Sequence, residues 1–142
     1  MPLRIVPVAP FSVIMLIAGV SEIREEVEGV TVLARRAPEM SPAELRNLAD
    51  TMRSKLGSGV VVLGMESGGK ATLLAAVTDD VTGRVKAGDL VRELAAVVGG
   101  RGGGKPTLAQ AGGPDADKLD EALAKAPEQV RAQVARWEER LG

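Results

Sequence analysis

The chain of 142 residues contains no cysteine and no histidine. These absences exclude thiol nucleophiles, disulfide bonds, metal sites built from thiolate or imidazole ligands, and Ser-His-Asp catalysis. The aromatic residues are Phe11 and Trp137, too few for a surface that stacks several unpaired bases. The composition therefore removes most catalytic chemistry and the stacking mode of nucleic-acid recognition.

An excess of charge of one sign is also lacking, since 18 Lys and Arg residues are balanced by 19 Asp and Glu residues. Without a global basic field, any contact with a nucleic acid must use a local patch. The length suits one domain with a single core, and a content of 45% apolar and 26% charged residues is typical of a folded chain.

No apolar run is long enough for a membrane helix. Residues 5–20 are apolar, but Pro7 and Pro10 interrupt them and the run falls short of the roughly 20 residues required. Only Arg4 is basic at the start, which disfavours a secretory signal. We therefore expect no membrane contact and a cytoplasmic location. Residues 1–21 are interpreted as an apolar segment that packs on the core or meets a neighbouring domain, followed by one domain over residues 22–142.

Helix and strand patterns alternate after residue 20. Strands are predicted at residues 30–36, 60–65 and 71–78, the last two as a β-hairpin. Helices are predicted at residues 21–29, 42–55, 87–98, 114–125 and 127–141. The predicted fold is α/β with two layers, in which a small mixed sheet containing the hairpin packs against helices and the C-terminus is helical.

The helix predicted from residue 42 has the clearest local signals. Ser41 is placed to cap it, Pro42 suits its first position, and Glu44 completes a capping box. Apolar residues at spacings of three and four predict its buried face: Leu45, Leu48, Ala49, Met52 and Leu56.

Glycine is concentrated in one segment, because seven of the 17 glycines lie within residues 99–113, GGRGGGKPTLAQAGG. We predict a loop that follows a helix. It matches neither the dinucleotide-binding pattern GxGxxG nor the phosphate-binding loop GxxxxGK(S/T). The segment follows a helix and not a strand, and Pro106-Thr107 comes after Lys105. Two interpretations remain open from the residues alone. One is a flexible connection; the other is a contact loop whose bare backbone approaches an anion while Arg101 and Lys105 supply charge.

Charge is polarised around this segment. Residues 82–106 hold five cations and two carboxylates, a net charge of +3, whereas residues 114–128 hold two cations and five carboxylates, a net charge of −3. A basic patch beside an acidic helix can orient an anionic polymer. The side-chain amide of Gln110 can both donate and accept hydrogen bonds. It is therefore either a buried group that anchors the loop to the fold or a group that contacts a base edge.

Three stretches resemble the C-terminal domain of alanyl-tRNA synthetases: residues 86–91 (KAGDLV), residues 97–100 (VVGG) and, above all, residues 99–113 with their AQAGG ending. The same DHH-associated domain type accompanies DHH-family phosphoesterases. The similarity runs over roughly residues 29–134. The resemblance implies a non-catalytic domain. In the family, charging takes place in a separate N-terminal catalytic domain, and editing takes place in a domain with histidine and cysteine metal ligands, residue types that this sequence lacks.

The resemblance also implies a role in tRNA binding and association, with no cofactor and no metal. Carried over from the family, the motif positions are Arg101, Gly102, Gly103, Gly104, Lys105, Gln110, Gly112 and Gly113. Arg84 and Lys86 add nearby charge. The expected partners are alanine-accepting tRNA, other synthetase domains and a second copy of the chain. Two alternatives stay open: a self-association module with incidental RNA contact, and a phosphate-binding accessory domain of a DHH-type phosphoesterase.

Overall fold

A computed structural model describes residues 22–141, which form one six-stranded mixed sheet with helices. The strands are β1 (Glu22–Val27), β2 (Val30–Ala37), β3 (Val60–Ser67), β4 (Lys70–Val77), β5 (Arg101–Gly104) and β6 (Leu108–Gly113). Their order across the sheet is β1-β2-β3-β4-β6-β5. Strands β2 and β3 are parallel, and the other neighbouring pairs are antiparallel. The predicted segment 1–21 lies outside the described residues.

Helices cover both faces of this sheet. They are α1 (Pro42–Leu56), α2 (Ala87–Val97), α3 (Leu119–Ala124) and α4 (Ala126–Leu141), with a 3₁₀ turn at Ala116–Lys118. Alternate residues of β3 enter two separate cores: Val60 and Val62 pack on the side of α2, α3 and α4, while Val61 and Leu63 pack on the side of α1. The α/β class and the mixed sheet are confirmed, but there are three layers rather than two, because both faces of β3 are buried.

The prediction of a helix over residues 21–29 is wrong, because Glu22–Val27 forms the edge strand β1. Glu28 and Gly29 form its turn into β2 with φ values of 51° and 80°, as a tight hairpin requires. Val27 and Val30 pair across this turn and are buried. The charged residues within Glu22–Val27 suggested a solvated helix, yet an edge strand exposes such side chains equally well.

The glycine-rich segment, predicted as a loop, forms strands β5 and β6 joined by a turn at residues 105–107. It does follow a helix, as predicted. Glycine is depleted in strands, so its composition indicated a loop. Pairing of β6 with β4 on one side and β5 on the other overrides that local preference by satisfying the backbone hydrogen bonds.

The predicted hairpin of residues 60–78 is confirmed as β3 and β4, which turn at Gly68 and Gly69 with φ values of 59° and 79°. The predicted buried face of α1 is also confirmed. Leu45 and Ala49 are buried, and the partly buried residues Leu48, Met52 and Leu56 pack on the same core.

Helix α1 begins with the predicted capping box. Glu44 N donates to Ser41 Oγ at 3.2 Å, and Ser41 N donates to Glu44 Oε1 at 3.0 Å. The Ser41 backbone N–H, and after it the Ser41 hydroxyl, hold the pKa of Glu44 below its usual value. The charged form of Glu44 is therefore favoured in the folded state.

Replacing Ser41 with alanine is expected to lower the free energy of unfolding by about 1 kcal/mol, because a backbone donor of the first turn loses its acceptor. Since the folded-state pKa of Glu44 is lowered, its stabilising contribution is present above the pKa of the unfolded chain and is lost as pH falls through the folded-state pKa. Urea unfolding at neutral and acidic pH measures both effects. The control is Ser54→Ala, at an exposed serine inside the same helix. Equal stability of the two variants would contradict the capping role.

Candidate nucleic-acid interface

Residues 101–113, which we call the edge hairpin, lie at one side of the sheet. Strand β6 pairs with β4 and β5, and β5 ends the sheet order. An edge strand directs part of its backbone N–H and C=O groups away from the sheet. Arg101 and Lys105 are exposed, and Gly103 between them is partly exposed. The edge hairpin therefore presents bare main chain between two cations.

The two faces of the edge hairpin differ in what covers them. Ala109 and Ala111 are buried in the core shared with α2. Because successive strand residues point to opposite faces, Gln110 lies on the α1 side together with its cross-strand partner Gly103. Helix α1 packs on β3 and β4, and Gln110 and Gly112 stay partly exposed. We call the α1 side of the edge hairpin the open face.

Close packing explains most glycines of the hairpin but not Gly103. A Cβ added at Gly102 would overlap Ala111, and one added at Gly104 would lie 2.8 Å from Ala109 Cα. At Gly103, an added Cβ meets nothing within 4 Å, and its φ is not among the positive values. The fold therefore does not require glycine at position 103, and the space above that backbone is free for a ligand.

The turn of the edge hairpin rests on helix α2. Ala87 N donates to Pro106 O at 2.9 Å. A Cβ added at Gly88 would lie 2.8 Å from Gly104 O, so the first turn of α2 needs a glycine to approach this closely. Lys86 is exposed and directly precedes Ala87 in the chain. Ala87 is in turn hydrogen-bonded to the turn that carries Lys105. Lys86 therefore adds positive charge at this end of the hairpin.

Arg53 supports the same turn from α1, and the sequence did not indicate it. Its guanidinium donates to Thr107 O at 2.9 Å and also pairs with Asp50. Arg53 and Thr107 are 54 positions apart, so no local signal could have identified the pair.

The hydroxyl of Ser58, and after it that of Thr78, lowers the pKa of the nearby Asp80. Asp80 thus belongs to a polar turn beside the edge hairpin.

Arg84 does not belong to the edge hairpin. Its guanidinium carbon lies 5.9 Å from the centre of the Trp137 ring on α4, and the side chain lines a cavity between α2 and α4. Lys86 also lines this cavity, and it directly precedes Ala87, whose N–H bonds the hairpin turn. The structure therefore brings together the motif residues and Lys86, and it separates Arg84 from them.

Among residues 22–141, no group of three or more acidic, histidine or cysteine side chains could hold a metal ion. None of the described helices has the length and apolar character needed to cross a membrane.

Comparison with known proteins identifies the family. A model of the DHHA1 domain matches residues 29–132. The alanine–tRNA ligase of Desulfosudis oleivorans is 54% identical over 110 residues, which cover 78% of this chain and 13% of that ligase. The ligase of Anaeromyxobacter dehalogenans is 57% identical over 104 residues, which cover 73% of this chain and 11% of that ligase.

The fold agrees with these matches. The crystal structure of the C-Ala domain from Aquifex aeolicus alanyl-tRNA synthetase is similar with a TM-score of 0.71 at 34% identity, covering 77% of this chain and 98% of that one. The chain therefore belongs to the DHHA1 domain family. Its relatives within that family are the C-Ala domains of alanyl-tRNA synthetases, as the glycine-rich motif predicted. It spans 13% of the length of a matched ligase, and the catalytic part of such ligases lies outside this stretch.

Proposed function

We propose that this chain is a non-catalytic tRNA-binding and association domain of an alanyl-tRNA synthetase, and that the edge hairpin contacts the tRNA backbone. One observation carries this proposal: the partly exposed backbone at Gly103 has free space above it and lies between the exposed residues Arg101 and Lys105. The relatives at 54% and 57% identity are tRNA ligases, which favours this function over a phosphoesterase accessory domain. We accordingly propose a cytoplasmic location and contacts with other synthetase domains.

The residues of the motif divide into two groups in this proposal. Gly102, Gly104 and Gly113 shape the hairpin, because an added Cβ at each would collide with neighbouring main-chain atoms. The second group is proposed to contact RNA from the open face of the edge hairpin or from the ends of β5. It consists of Arg101, Gly103, Lys105, Gln110, Gly112 and, near the turn, Lys86. Arg84, which the sequence grouped with these residues, lines the separate cavity between α2 and α4 and is not part of this surface.

Binding in this arrangement uses charge and shape. The Arg101 guanidinium can bind two oxygens of one phosphate, and Lys105 acts as a point charge. The two residues are four positions apart, about 13 Å along an extended strand, so they reach different phosphates. Backbone N–H groups at the edge complete the contact, while base edges are not needed for affinity.

The test is a titration of fluorescent tRNA at two salt concentrations with the double variant Arg101→Gln/Lys105→Gln. We expect affinity at low salt to fall about tenfold, and the log–log slope of affinity against salt to become shallower by roughly 0.7 to 0.9 for each lost phosphate contact. Lys125→Gln, at an exposed lysine that follows α3 on the other face of the sheet, is the control. A salt-independent affinity, or equal binding by the double variant and the control, would refute the proposal.

A second candidate function rests on the edge position of β5. Its unpaired backbone groups can extend the sheet by pairing with the same strand of a second copy. In that case the domain is a self-association module and its RNA contact is incidental. The Gly103 variants described in the Discussion separate the two functions.

A further inference from the structure

A cavity of about 520 Å³ lies between the first turn of α2 and one side of α4. Its volume is in the range of small-molecule sites, and its walls are mostly charged. Three carboxylates and five cations line it, the cations being Arg84, Lys86, Arg92, Arg136 and Arg140. The cavity therefore has a positive balance in a chain whose total charge is −1.

Gln133 lines this cavity with a hydrogen-bond donor that lacks an acceptor. The residue is 5% exposed, and its Oε1 accepts from Lys86 N at 3.0 Å. Because a backbone N–H can only donate, this bond determines which amide atom is the oxygen. Nε2 then has no partner in the described part of the chain. Buried donors are nearly always satisfied, so Nε2 is available to donate to an acceptor oxygen that enters the cavity.

The charges around Gln133 favour an anion as that ligand. Arg92 pairs with Asp89 at 3.0 Å, but within residues 22–141 neither Arg136 nor Arg140 forms a salt bridge. Helix α2 has 11 residues and no side-chain cap at its start. The positive end of its dipole lies at the cavity wall, and such an end stabilises a bound anion.

We propose that this cavity is a phosphate-binding site in which Gln133 Nε2, Arg136 and Arg140 donate to the oxygens of a phosphate group. Arginine matches phosphate geometry with paired donors. All three donors lie on α4, outside the edge hairpin, so the site does not depend on RNA binding by that hairpin. The phosphate can belong to a small phosphorylated compound or to an RNA backbone, and the experiment distinguishes these sources.

The experiment follows the Gln133 side-chain amide by NMR in the full chain while pyrophosphate is added. We expect a saturable shift of that resonance, and about tenfold weaker binding in Arg136→Gln/Arg140→Gln, because charge-assisted hydrogen bonds are lost. Arg131→Gln is the control, since Arg131 is exposed on the same helix but does not line the cavity. The control should bind pyrophosphate as the unchanged chain does.

A parallel titration uses a short RNA duplex and the variant Arg101→Gln/Lys105→Gln. A saturable response of Gln133 to pyrophosphate assigns the site to small phosphorylated compounds. A response to RNA alone that persists in this variant assigns it to a second backbone contact. The proposal is overturned if Gln133 responds to neither ligand, or if Arg136→Gln/Arg140→Gln binds as tightly as the control. Loss of RNA binding at the hairpin leaves the pyrophosphate result unaffected, so the two proposals fail separately.

Discussion

Replacing Gly100 with alanine is expected to destabilise the fold by about 3 kcal/mol or more. A Cβ at this position would overlap the carbonyl oxygen of Gly112, a main-chain atom of β6. That atom cannot rotate away as a side chain can, because β6 is paired with β4 on one side and β5 on the other. The collision is relieved only by separating strands of the edge hairpin, which leaves backbone groups without partners.

The matched variant is Gly103→Ala, three positions along the same segment. Its Cβ meets nothing within 4 Å, so we expect a change of less than about 1 kcal/mol, and in the stabilising direction because alanine restricts the unfolded chain. Urea unfolding followed by circular dichroism measures both variants. Similar stability of the two would show that the packing described for Gly100 is wrong, and a severe loss at Gly103 would show that the open face is covered.

Replacing Gly103 with glutamate is expected to weaken tRNA binding about a hundredfold, because it places a negative charge where the phosphate backbone is proposed to lie and like charges in an interface cost several kcal/mol. Stability should change little, since the site is open. Gly103→Gln has nearly the same size without the charge, and we expect it to bind between the glutamate variant and the unchanged chain. Anisotropy titrations of fluorescent tRNA measure the three affinities.

Light scattering on the same three proteins tests the second candidate function. If the edge hairpin serves tRNA, the glutamate variant loses affinity whatever its state of association. If β5 instead pairs with a second copy, glutamate at position 103 should dissociate the assembly while tRNA affinity is unchanged. That second outcome would contradict the proposed RNA surface and favour the self-association module.

Features that depend on neighbours in sequence were predictable. Ser41, Pro42 and Glu44 act within one helical turn, so the start of α1 could be predicted from the sequence. Strands β3 and β4 likewise join through a short glycine turn. The glycine-rich motif identified the family because its residues are contiguous. The helix prediction at β1 was wrong because the hydrophobic period and the composition of this charged edge strand do not distinguish a solvated strand from a solvated helix.

The sequence by itself determined the α/β class, the helix start, the central hairpin and the family. Only the tertiary structure decided that the glycine segment forms strands, that Gly103 alone among the hairpin glycines has free space, and that Arg84 lies in another cavity. The same holds for Gln133, which bonds Lys86 from 47 positions away. The physical reason is that strand pairing, steric space and buried hydrogen bonds arise between distant segments, where local preference carries no information.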